Sequence, residues 1–122
     1  MSRRLHLEKF GPVSALPVLH YTMEFATLVR QAVGRVRPDC IAIELPPTLE
    51  AQFLRGVRRL PEISVLRYEL RNSGKNKPVE GQSVFLFIEP ADPLVEAARL
   101  AGELNIPLSC IDVDIEGYPL FQ

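Results

Sequence analysis

Five short apolar runs alternate with three stripes of helical period along these 122 residues, and that alternation most constrains what the chain can fold into. The runs are residues 16–19 (LPVL), 40–45 (CIAIEL), 63–70 (ISVLRYEL), 84–88 (VFLFI) and 108–113 (LSCIDV). Each is too short for a helix of ordinary length, and Pro or polar residues stop it. All five predict strands: residues 40–45, a short continuous apolar run, one buried on both faces, and residues 63–70 one rich in β-formers.

The stripes between them predict helices. Phe25, Leu28, Val29, Ala32, Val33 and Val36 follow i, i+3, i+4, i+7, i+8 and i+11, with Thr22 placed as N-cap and Pro38 closing the region. Pro47 opens a second helix, carried by Leu49, Phe53, Val57 and Leu60, with Arg55, Arg58 and Arg59 near its C-terminal end, where cations complement the dipole. Asp92 caps a third, with Pro93 at its first position and Leu94, Ala97, Ala98, Ala101 and Leu104 as its apolar face; Asn105 and Pro107 end it. Residues 71–82 (RNSGKNKPVEGQ) read as a polar loop. The order strand, helix, strand, helix, strand, loop, strand, helix, strand predicts an α/β fold: a mostly parallel sheet of about five strands with three helices, in two or three βαβ layers. Residues 1–122 make one domain of ordinary size. No helix follows the last strand, and Tyr118, Leu120 and Phe121 make an apolar end. The expectation is therefore the N-terminal part of a larger protein, missing its C-terminal half, or a homodimer.

Hydrophobic residues are 47% and aromatics 7%, without Trp, so the core is aliphatic. The net charge of -1 gives no overall pull toward nucleic acid or membrane. Residues 1–79 nevertheless hold 13 of the 14 basic residues, and Arg99 is the other; a bipolar surface suits either two differently solvated faces or a charged partner. Cys40 and Cys110 fall in strand-like runs and read as reduced. The opening MSRRLHLEKFGP has no apolar core of a signal peptide, and no run approaches the roughly 20 residues that span a bilayer. The expected compartment is the cytoplasm. G-x-G-x-x-G, the Walker A loop, G-x-S-x-G and C-x-x-C are all absent, so no nucleotide is expected.

In open parallel sheets, ligands bind beyond the carboxyl ends of the strands. His20, Glu44, Glu89, Asp112 and Asp114 stand at such ends. One imidazole and several carboxylates on one rim can hold a hard divalent cation or act as a general acid and base. Each also has a plainer role: a backbone hydrogen bond for His20, a solvated carboxylate at a helix start for Glu44, a turn cap for Asp112, an exposed acid for Asp114 and a loop acid for Glu89. His6, in the unpatterned N-terminus, is not a candidate.

Three of these phrases, PVLHYTMEF with His20, RPDCIAIELPP with Glu44, and IPLSCIDVDIEGYP with Asp112 and Asp114, resemble the TraB-type proteins (the pheromone-shutdown group, related to the Tiki proteases and more loosely to the erythromycin esterase and ChaN-like proteins) over residues 16–115. Val18 and Leu19 stand where that family has Gly-Thr. The resemblance implies a hydrolase-like site of metal-assisted peptidase or esterase type. In it His20, Glu44, Asp112 and Asp114 would hold a divalent metal (Mn, Co or Zn), with Glu44 and His20 catalytic. FGP at 10–12 is similar to a bacterial group associated with MoxR-type ATPases, which implies an AAA+ partner. The alternative is a non-catalytic interaction or regulatory domain that keeps the fold without the chemistry.

Overall fold

The computed structural model describes residues 4–19, 21–71 and 78–112. Among them are six strands and three helices: β1 (Glu8–Phe10), β2 (Val13–Ala15), α1 (Met23–Val36), β3 (Ile41–Ile43), α2 (Glu50–Arg58, entered through a 3-10 turn at Pro47–Leu49), β4 (Ser64–Arg71), β5 (Pro78–Ile88), α3 (Pro93–Leu104) and β6 (Leu108–Cys110). All three helices form where the stripes predict them. Thr22 stands at the N-cap of α1 in an extended conformation, without a side-chain cap bond. Asp92 caps α3 through Leu94 and Val95 N–H, Pro93 holds the first position, and Asn105 ends the helix in the left-handed conformation.

The sheet differs from the expectation. Instead of five mostly parallel strands there are three two-stranded ladders: β1–β2 antiparallel, β4–β5 antiparallel, and β3–β6, the one parallel pair among the described residues. The reason lies in the connections. Two parallel neighbours need a crossover, usually a helix. Nothing of helical period separates β4 from β5, so they form a hairpin, and β5 starts at Pro78, inside the stretch 71–82 expected as loop. β3 and β6 do have helices between them, and their register is parallel, Ile41 to Leu108 through Ile43 to Cys110. Nor is 16–19 a strand. The first ladder lies upstream, Glu8 to Ala15 through Phe10 to Val13, folded about Gly11, whose φ of 60° suits glycine.

One apolar core joins the pieces. Val29 and Val33 of α1, Leu49 and Phe53, Ile43 and Leu45, Leu66 of β4, Ile88 of β5 and the α3 residues Leu94, Val95, Ala97 and Ala98 are all buried together. α3 lies deepest: every residue from Asp92 to Ala98 is buried. Its neighbour α1 packs along it, and Ala97, Ala98 and Ala101 are among its buried residues. Glu96, buried in this seam, is held by Arg30 across the seam at 2.9 Å and by Arg99 at 2.6 Å. Buried charge is tolerated when it is paired in this way.

Candidate functional site

β3 and β6 run side by side, so the residues that follow them emerge at one rim. The ladder continues past the strands: Ile111 N–H donates to the Ile43 carbonyl at 3.0 Å and Asp112 N–H to the Leu45 carbonyl at 3.3 Å. Glu44 and Asp112 are therefore neighbours along the backbone, at the carboxyl end where a ligand is expected. Their side chains do not share a face. Ile43 and Leu45 are buried and Glu44 between them is exposed; Cys110 and Asp112 are half-buried and Ile111 between them is exposed. Side chains alternate along a strand. Glu44 thus belongs to the outer face with Ile111, and Asp112 to the inner face with Cys110.

On the inner face Asp112 meets groups that no motif signals. The Tyr68 phenol is held above its ordinary value, first by burial, then by the negative charge of Asp112 and by Tyr21. Tyr68 lies on the inward side of β4, two residues beyond buried Leu66. That period of two was its available signal. The thiol of Cys110 is also pushed up, by burial and then by Glu50.

Tyr21 is fixed from both ends. Its backbone takes the left-handed conformation at φ 57°, and its N–H donates to Asp92 Oδ1 at 2.9 Å. Its hydroxyl accepts from Phe87 N–H at 3.1 Å, and its ring meets Phe87 edge-on at 6.1 Å. Asp92 is fully buried and spends its other oxygen on Leu94 and Val95 N–H, at 3.1 and 3.2 Å. One carboxylate so ties the turn before α1 to the start of α3. The sequence shows Asp92 as a cap; the bond to Tyr21, 71 residues away, carries no local signal.

His20 and Asp114 lie outside the described residues. Glu89 is half-buried before Pro90, and its carbonyl accepts from Asp92 N–H at 3.2 Å, a turn role. Among the described residues, no three His, Cys, Asp or Glu side chains gather as a metal site. No helix of the described residues is long and apolar enough to cross a membrane. No protein-family model, curated protein or solved structure matches the chain.

Proposed function

We propose that the chain is a hydrolase-like domain of the TraB type, acting on ester or peptide bonds, with its working end at the carboxyl rim of β3 and β6. The observation that carries this reading is the adjacency of Glu44 and Asp112 along two hydrogen-bonded parallel strands, with the charge of Asp112 felt by the Tyr68 phenol. Glu44, exposed on the outer face, takes the proton of an attacking water. Tyr68, kept protonated on the inner face, donates toward the oxygen that gains charge in the transition state. Asp92 holds the backbone at Tyr21 through the Tyr21 N–H.

One imidazole with carboxylates is a donor set that suits Mn²⁺, Co²⁺ or Zn²⁺, with His20, Asp112 and Asp114 as the ligands. Such an ion would polarise a carbonyl and acidify bound water. A cytoplasmic setting suits this reading, with Cys40 and Cys110 free thiols.

Thermal denaturation with and without each metal tests the proposal, paired with hydrolysis of activated esters and short peptides. A ligand at 100 times its dissociation constant stabilises by about 2.7 kcal/mol. His20→Ala and Asp112→Asn are expected to abolish that stabilisation, whereas Glu44→Ala keeps most of it and loses turnover. No stabilisation by any metal and no hydrolysis by the wild type would end the proposal.

The second reading is a partner-binding domain without chemistry. It is favoured by the outer face of the β4–β5 hairpin, where Val65, Phe85 and Phe87 stand about half exposed. Its partner would be a second copy, a C-terminal half or an AAA+ ATPase. A sizing experiment in which the chain stays monomeric and Phe85→Glu changes nothing counts against it.

A further inference from the structure

We propose that the cleft between the β1–β2 hairpin and the last turn of α1 binds a small phosphate monoester. Leu7, Lys9, Ser14, Arg35 and Val36 line it, around about 480 Å³. The cleft is shallow and open to solvent on one side. Lys9 and Ser14 are direct cross-strand partners, so both side chains stand on one side of the hairpin. Arg35 reaches the same space from α1.

Two cations share this cleft, and among the described residues no acid lines it. Among the described residues, neither Lys9 nor Arg35 forms an ion pair. Arg35 alone would be explained by its place at a helix C-terminus, where the dipole welcomes a cation. Lys9 stands beside it from the exposed strand β1. The Val33 carbonyl accepts from Arg37 N–H at 2.9 Å, and the guanidinium of Arg35 stands between the anion and the negative end of α1. A dianionic phosphoryl group satisfies the set: the guanidinium offers paired donors, the ammonium a point charge, and the Ser14 hydroxyl a third contact. Leu7 and Val36 supply an apolar wall for the organic part of the ester.

Phenyl phosphate and inorganic phosphate, titrated into the full chain at low ionic strength and followed by amide NMR shifts, test this site. Phenyl phosphate is expected to move the amides of Leu7, Ser14 and Val36 and to bind more tightly than inorganic phosphate. Lys9→Gln and Arg35→Gln should each weaken it about tenfold or more, the worth of a charge-assisted hydrogen bond. Arg58→Gln, an exposed cation on the last turn of α2 outside the cleft, should leave binding unchanged. The proposal is overturned by no shift with phenyl phosphate, by equal affinity for the two phosphates, or by Arg58→Gln weakening binding as much as the cleft variants.

Discussion

The α1–α3 seam and the β4–β5 hairpin are both pairs of neighbouring elements, yet they treat their side chains in opposite ways. In the seam, polar groups go inside and are answered there: Glu96 by Arg30 and Arg99, Asp92 by three backbone N–H groups. In the hairpin, apolar groups go outside. Leu66 and Ile88 face the core, while Val65, Phe85 and Phe87 face solvent on the other side. A buried charge is tolerated only when it is answered, whereas the half-exposed rings of the hairpin leave apolar surface in solvent, with Phe87 meeting Tyr21 edge-on. The seam is accordingly the structural half of the molecule, and the hairpin and the rim beside it are where function has room.

The largest effect is expected where the two regions meet. Phe53 is fully buried within the core that holds Leu66 and Ile88 of the hairpin and Val95 of α3. Phe53→Ala should cost about 3–5 kcal/mol in chemical denaturation, and a much smaller loss would mean that hairpin and seam do not share one core. Next come the seam carboxylates. Asp92→Ala strands three donors, one on Tyr21, and should cost about 2–3 kcal/mol. Glu96→Ala should cost less, about 1–2 kcal/mol, because the side chains of Arg30 and Arg99 stay 46% and 43% exposed and rehydrate. The reverse order would show that the ion pairs, not the cap, close the seam. On the hairpin, Phe85→Thr should change stability by no more than about 0.5 kcal/mol, since a surface substitution removes no packing.

The seam is also the part most legible in the sequence. Its helices announce themselves through period, cap and stop: Asp92-Pro93 at one end of α3 and Asn105 at the other need no tertiary context. Strand positions were nearly as plain for β3, β4 and β6. Strand partners were not, because an apolar run states that it is buried without stating against what. The parallel sheet overlooked that β4 and β5 have no helix between them. The β1–β2 ladder escaped because EKF is exposed and VSA only partly covered, so that only Gly11-Pro12 marks it. The site was half legible. Glu44 and Asp112 do follow adjacent strands, but their opposite faces depend on a register that no motif prints. Tyr68, which joins Asp112, enters from a strand with no sequence link to the rim.

The smallest effect separates rim from seam by pH. Tyr68 is raised above the ordinary phenol value of 10.0, burial first, Asp112 second, Tyr21 third. The folded chain therefore favours the neutral phenol. The stability this lends is fully present below pH 10 and is lost as pH rises through the folded value. Ultraviolet titration of the chain without added divalent metal should show this tyrosine ionising late. Asp112→Asn removes the second cause and leaves the first, so ionisation should move down but stay above that of the unfolded chain. A midpoint unmoved by Asp112→Asn would break the link between the two residues. With it would go the inner half of the proposed site, while the seam, whose carboxylates do not touch Tyr68 in this scheme, would stand untouched.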